Sequence, residues 1–120
     1  MSGSTIVSAI LCAREEIGGE LADWGQRPGA ASGAMTSGRT LLKGDGLPHI
    51  GVWEGTPGSW TVENRPDTET SLILTGRARI TDDDGATREI GPGDMLILPC
   101  GWSGRWEILE TLRKCYVVAD

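Results

Sequence analysis

The sequence has few of the residues that bind metals or form disulfides. It contains one histidine and three cysteines, and Cys12, Cys100 and Cys115 show no C-x-x-C spacing. An odd number of cysteines at these positions argues against a disulfide framework and against a structural zinc site. A chain of 120 residues fits one domain.

A long apolar segment and an excess of basic residues are also lacking. The first sixteen residues, MSGSTIVSAILCAREE, contain no basic region before their short apolar run, which predicts neither a signal peptide nor a membrane span. The net charge is -6 and no basic stripe offsets it, which argues against binding to nucleic acid. We therefore expect a cytoplasmic protein that binds neither nucleic acid nor membranes.

Phenylalanine is absent, whereas there are five tryptophans, 18 glycines and six prolines. From Gly51 onward, turn residues recur about every eight to twelve positions, which is typical of all-β sandwiches and barrels. The pattern predicts a turn at 56–58, a hairpin that breaks at Thr75–Gly76, a hairpin that turns at Asp84–Gly85, and two last strands, GRWEILE and LRKCYVVA. Residues 1–50 have weaker signals and predict an arm with loops and one short strand.

Two spacings stand out in the regular part of the chain: six residues separate Glu69 from Gly76, and five separate Gly93 from Pro99, with Gly101 beyond it. Alternation places Glu69, Ser71 and Ile73 on one face of a strand. Pro99 ends the hydrogen bonding of the apolar strand before it, and Gly101 redirects the chain.

These spacings resemble the paired motifs of the cupins, small RmlC-like jelly-roll barrels whose mouth holds the active site. The segments GVWEGTPGSW, LILTGRARITDDDG and PCGWSGRWEILETLRKCYVV are similar to the branch that includes the cupin domain of ureidoglycine aminohydrolase. The resemblance covers about Val52 to Val118. It implies an all-β fold, a double-stranded β-helix, with an N-terminal arm at 1–50 and the cupin barrel at 51–120.

The residues that hold a metal in many cupins are mostly replaced here. The positions matching the His-x-His pair are Val62 and Asn64, and the position of the last histidine is Gly104. Of the four usual ligands only Glu69 remains. The resemblance therefore implies the frame of a metal pocket without its ligands, and we expect no metal and no other cofactor.

The candidate site residues follow from strand alternation and from the motifs. Glu69 and Lys114 are the candidate catalytic residues, and the candidate ligand-binding residues are Trp60, Asn64, Ser71, Trp106 and Tyr116. Tryptophan can line a half-open cup while its N–H meets a polar partner. Lys114 and Tyr116 share one face of the last strand, but the sequence leaves open whether that face or the apolar face of Cys115 and Val117 points inward.

Three other residues have simpler interpretations. His49 either enters the cup as a base or, as its neighbours Leu47 and Pro48 favour, lies in a loop. No base or cation lies near Cys100 in the sequence, which predicts a small buried apolar side chain. Trp24 is interpreted as a surface anchor.

Three functions remain open at this stage. The first is a metal-independent acid-base enzyme, an isomerase, lyase or hydrolase, acting on a small polar metabolite. The second is a binding module or sensor that uses the same cup without chemistry. The third is a metal enzyme with substituted ligands, Glu69 with His49, Asn64 or Glu63, which a single histidine makes the weakest. We also expect a homodimer, in which the arm lies across the partner's sheet.

Overall fold

The structure, a computed structural model, describes residues 7–119, which form one short helix and eight β-strands. The elements are α1 (Arg14–Gly18), β1 (Ala22–Gln26), β2 (Met35–Gly44), β3 (Leu47–Gly55), β4 (Gly58–Val62), β5 (Thr68–Asp82), β6 (Thr87–Ile90), β7 (Met95–Leu98) and β8 (Gly104–Ala119). None of the helices among the described residues is long and apolar enough to cross a membrane.

The strands pair antiparallel in the order β1-β2-β3-β8-β5-β6, with β4 added to β8 and β7 added to β5. The two long central strands, β5 and β8, pair from Thr68↔Ala119 to Asp82↔Gly104. Their outer partners change along the length, because β3 and β7 pair with one half while β4 and β6 pair with the other. The result is a jelly-roll barrel closed around the inward faces of β5 and β8, as the sequence predicts.

The predicted hairpin at Thr75–Gly76 is wrong, because β5 continues through it. The register with β8 shifts between Ile73 and Ala78, so the strand bends at a bulge instead of reversing. Gly76 has φ +85°, and a Cβ there would collide with the backbone of Thr111. A turn and a bulge require the same glycine, so the local sequence does not distinguish them. The two predicted last strands, GRWEILE and LRKCYVVA, are likewise one continuous strand, β8.

The other predicted turns are present. Thr56 and Pro57 separate β3 from β4, and the Asp84–Gly85 turn joins β5 to β6. In that turn Gly85 has φ +93°, and the Asp84 carboxylate accepts a hydrogen bond from the Ala86 N–H at 2.9 Å. These are local features, so the sequence alone is enough to place them.

The first fifty residues contribute more strand than the sequence predicts. The helix ends at Gly18, and the next residue, Gly19, has an extended backbone. Beyond it, β1, β2 and the start of β3 extend the sheet from β8 outward. The glycine-rich composition of this segment hides these strands, because they are held by pairing with their neighbours rather than by a strongly apolar face.

Candidate functional site

A cavity of about 280 Å³ lies inside the barrel. Strands β3, β4, β5 and β8 supply most of its wall, and two loop arginines complete it. The lining residues are Arg27, His49, Trp53, Trp60, Val62, Arg65, Glu69, Trp106, Lys114, Tyr116 and Val118. Charged and aromatic side chains therefore dominate a space large enough for a small metabolite.

A buried ion pair between neighbouring strands forms the centre of the cavity wall. Lys114 Nζ lies 2.7 Å from Glu69 Oε2, and the two side chains are only 9% and 12% exposed. The Ser71 hydroxyl donates a second hydrogen bond to the same oxygen at 3.0 Å. Arg65 lies farther away, 3.8 Å from Glu69 Oε1.

The surroundings of Glu69 keep its carboxyl group ionised. Burial by itself would raise the pKa of Glu69, but the charge and hydrogen bond of Lys114, the charge of Arg65 and the hydrogen bond of Ser71 together lower it. The net direction is below the ordinary value of 4.5. Glu69 is therefore a carboxylate at neutral pH.

Two tryptophans contact the Lys114 ammonium group, and a third stacks on one of them. Its Nζ lies 4.6 Å from the centre of the Trp106 ring and 5.0 Å from that of Trp53. Trp60 and Trp106 are directly paired in the β4–β8 register and stack at 5.7 Å with an angle of 6° between their planes. Such contacts stabilise a desolvated cation, and tryptophan forms the strongest of them.

Arg27 reaches the cavity from the segment that follows β1. Its guanidinium carbon lies 5.5 Å from the centre of the Trp60 ring. Its Nε is buried and has no hydrogen-bond partner among the described residues. Burial lowers the pKa of Arg27, while the negative charge of Glu69 opposes that shift. This buried donor is the one clearly unsatisfied polar atom of the site.

Tyr116 and His49 form a second polar pair at the cavity. The Tyr116 hydroxyl lies 3.4 Å from His49 Nε2, and the two rings meet edge to face with centres 5.4 Å apart. Burial, and secondarily the charge of Glu69, raise the pKa of Tyr116. The opposite residue on β3 is Gly51, where a Cβ would collide with the tyrosine ring. The phenol therefore stays protonated, as a neutral donor or acceptor.

The structure brings most of the predicted site residues together. Five of them line the cavity, and Ser71 lies behind Glu69 and contacts it; the five are Trp60, Glu69, Trp106, Lys114 and Tyr116. The open question about β8 is resolved, because Lys114 and Tyr116 are buried while Val117 is exposed. Their roles in binding or catalysis stay predictions.

Asn64 is the exception among the predicted ligand-binding residues. It lies outside the cavity, is exposed, and has φ +46°. Its N–H donates to the Ser103 hydroxyl at 2.8 Å. Strand β4 ends at Val62, so the alternation that was extended from Trp60 to Asn64 no longer applies there.

Several cavity residues are not predicted from the sequence, and for His49 the sequence favours a loop over the cup. His49 lies in β3 rather than in a loop, and with Trp53 it follows the inward alternation of that strand. Both residues could have been found from the sequence by starting β3 at Leu47, because alternation from His49 then also places Trp53 inward. Arg65 lies in the connection before β5, four residues ahead of Glu69. Arg27 had no signal, because its position depends on how a glycine-rich loop folds back over the barrel.

Two of the simpler interpretations can also be compared with the structure. Cys100 is exposed rather than buried, and its Sγ lies 3.5 Å from the Pro66 carbonyl oxygen. The prediction of a buried apolar cysteine is wrong, because the loop after β7 runs over the surface. Trp24 is half-exposed and covers Gly38, where a Cβ would collide with the indole; it is a surface anchor, as predicted.

A jelly-roll barrel with a lined interior cavity is typical of the cupins. The chain belongs to the EutQ-like cupin domain family, whose model matches residues 42–116, more than half of the chain. No protein of curated function matches the chain.

Solved structures of related folds agree with this assignment. A DUF861 family protein from Thermotoga maritima is 32% identical, with a TM-score of 0.54, covering 57% of this chain and 76% of that one. The EutQ protein of Clostridium difficile is 16% identical, with a TM-score of 0.63, covering 71% and 68%. A DUF861 protein of unknown function from Pseudomonas syringae is 20% identical, with a TM-score of 0.76, covering 84% of this chain and 45% of that one. The last two show the fold alone.

The residues present do not fit the metal that many cupins hold. Val62 contributes an apolar wall, Asn64 lies outside the cavity, and a Cβ at Gly104 would collide with the backbone of Thr81. The Glu69 carboxylate already accepts a hydrogen bond from the Lys114 ammonium group. Among residues 7–119, no three histidine, cysteine, aspartate or glutamate side chains come close enough to hold a metal ion. The absence of a bound metal in the protein stays a prediction.

Proposed function

We propose that the barrel binds a small polar metabolite and that Glu69 and Lys114 transfer protons to and from it. The observation that carries this proposal is the buried Glu69–Lys114 pair, which borders a cavity of about 280 Å³. Burying two charges is costly unless they are paired, and their exchange for apolar residues is often neutral or stabilising. A pair kept beside a cavity therefore favours a role in function.

The geometry is suited to proton transfer next to a carbonyl group. The Glu69 carboxylate accepts the proton from the carbon, and the Lys114 ammonium donates a hydrogen bond to the carbonyl oxygen, where negative charge develops. Return of the same proton to a neighbouring atom completes an isomerisation with no other reactant. Elimination and hydrolysis use the same two groups, so isomerase, lyase and hydrolase activities all belong to this proposal.

Proton exchange with solvent distinguishes catalysis from simple binding. Small molecules that co-purify with the protein are identified by native mass spectrometry and then incubated with it in D₂O. We expect deuterium to enter the ligand with the wild type and not with Glu69→Gln, while Glu63→Gln, an exposed control on the barrel rim, behaves as wild type. Binding with neither deuterium exchange nor conversion of the ligand would contradict the catalytic proposal and favour the alternative, a non-catalytic metabolite-binding or sensor protein.

We also propose that two copies associate through the outer face of β5, β7 and β8. Four exposed apolar side chains lie there: Leu72, Met95, Ile97 and Val117. Leu72 pairs with Met95, while Ile97 and Val117 both flank Thr70, so the patch is continuous across three strands. An uncovered apolar sheet face of this kind favours association.

The N-terminal arm supports a second copy as the occupant of this face. Arg113 on β8 anchors the arm by donating to the carbonyl oxygens of Ile17 and Gly19, both at 2.9 Å. Ile10 and Leu11, farther out on the arm, are exposed apolar residues. The radius of gyration is 16.0 Å, against about 14 Å for a compact chain of this length. A projecting apolar arm beside an apolar sheet is complementary to its own symmetry mate.

Light scattering tests the dimer. We expect a dimer mass for the wild type and a monomer for Ile97→Glu, because a charge in the centre of the patch opposes its burial. Leu47→Glu is the matched control, since Leu47 is an exposed leucine at the start of β3. A monomer mass for the wild type at micromolar concentration would contradict the proposal.

A cytoplasmic location is part of the proposed function, supported by three cysteines that are all free.

A further inference from the structure

We infer that the ligand of the cavity is a small monocarboxylate and that Arg27 binds its negative group. This inference rests on the proposed function, because it specifies the ligand class of the same cavity. It is carried by the position of Arg27 in the cavity wall without a carboxylate partner and by the balance of charge around the cavity.

The charges of the site do not cancel. Arg27, Arg65 and Lys114 line the cavity, and the carboxylates that contact them are Glu69, paired with Lys114, and Asp67, paired with Arg65 at 2.9 Å. Three cations against two carboxylates leave one positive charge. The excess is notable in a chain with a net charge of -6. A monoanion would neutralise it.

Arg27 is the cation that lacks a partner. Lys114 and Arg65 each form an ion pair shorter than 3.0 Å, whereas no carboxylate of residues 7–119 lies within 4 Å of the Arg27 guanidinium. Desolvating a cationic donor without a hydrogen bond is unfavourable. The arginine is nevertheless held in place, because its backbone N–H donates to the Ala34 carbonyl at 2.8 Å and its carbonyl accepts from the Ala30 N–H at 3.1 Å.

The charge balance of the site favours a carboxylate over a phosphate. A guanidinium binds either group in a bidentate manner, but a phosphate monoester carries about two negative charges at neutral pH, more than the single excess charge. The rest of the wall, where Trp53, Val62 and Val118 lie, is apolar or aromatic. An acid with a compact apolar or flat body therefore fits both parts of the cavity.

Pairs of acids and neutral amides of the same shape test this inference. The probes are benzoate with benzamide and isobutyrate with isobutyramide, and phenyl phosphate serves as the doubly charged probe. Binding is followed by quenching of tryptophan fluorescence and by isothermal titration calorimetry. We expect the wild type to bind at least one of the two acids at least tenfold more tightly than its amide and than phenyl phosphate.

Variants of Arg27 assign the preference to this residue. Arg27→Gln should weaken binding of the acid by about 10- to 100-fold and remove the preference over the amide, since a hydrogen bond to a charged group is lost. Arg27→Lys should retain part of the preference. Arg88→Gln is the control, because it removes the same charge at an exposed position of β6. Circular dichroism verifies that each variant is folded.

Each outcome bears on a separate claim. If amides bind as tightly as acids, or if Arg27→Gln keeps the preference, the inference is overturned while the proposed binding function stands. Tighter binding of phenyl phosphate than of both acids overturns the carboxylate assignment. If no probe of either series binds, the inference is overturned, and the proposed function is then judged by the co-purified ligand and its deuterium exchange.

Discussion

The energetic coupling between Glu69 and Lys114 is the quantity that most directly tests the structure of the site. The perturbations are Glu69→Gln, Lys114→Met and the double variant, each close in volume to the original side chain. The pair is nine-tenths buried and joined at 2.7 Å. Removal of one partner from such a pair typically costs about 3–5 kcal/mol, because the other charge stays buried without compensation.

The two single variants are not expected to be equal. In Lys114→Met, Glu69 keeps the Ser71 hydrogen bond and the more distant Arg65, so the loss should be near 3 kcal/mol, the lower end of that range. In Glu69→Gln, the ammonium keeps its contacts with Trp53 and Trp106 and an amide oxygen nearby, so we expect about 2 kcal/mol. The double variant removes both charges and should lose only about 1 kcal/mol.

Urea denaturation at pH 7, followed by circular dichroism, measures these free energies of unfolding. The expected losses correspond to a coupling energy of about 4 kcal/mol, far above the deviation of about 0.5 kcal/mol seen for independent sites. Additive losses would refute the reasoning, because they would mean that the two charges do not interact inside the barrel. A change in the denaturant slope would indicate an altered unfolded or native state and is checked for each variant.

Three further predictions concern pH, packing and metal. Because the pKa of Glu69 is lower in the folded protein than its ordinary 4.5, its contribution to stability is present above that pH and is lost as the pH falls below it; thermal unfolding from pH 7 to pH 3 should show this loss in the wild type and a smaller one in Glu69→Gln. Trp106→Ala should cost about 3–5 kcal/mol in urea denaturation and weaken ligand binding in fluorescence titrations, and unchanged binding would remove Trp106 from the site. A chelator should leave the thermal midpoint unchanged, and elemental analysis of untagged protein should find no stoichiometric transition metal; one bound metal per chain with Glu69 among its ligands would contradict this.

The sequence by itself determined those features that depend on neighbouring residues. The Asp84–Gly85 turn and the shared face of Glu69, Ser71 and Ile73 all follow from turn chemistry and from alternation along one strand. Together with the two glycine-containing spacings, they carried the resemblance to the cupins, which the family match confirms. They were not enough to distinguish a turn from a bulge at Gly76, because both need the same residue and only pairing with β8 decides between them.

Only the tertiary structure decided which face of β8 points inward and what completes the cavity. Strand alternation predicts that Lys114 and Tyr116 share a face. Whether that face points inward depends on the contact of Lys114 with the Glu69 carboxylate, which is 45 residues away in the chain. Arg27 enters the cavity because its loop folds back toward the barrel, and Asn64 leaves it because β4 stops two residues earlier. These outcomes depend on contacts between distant segments, and no local pattern of residues encodes such contacts.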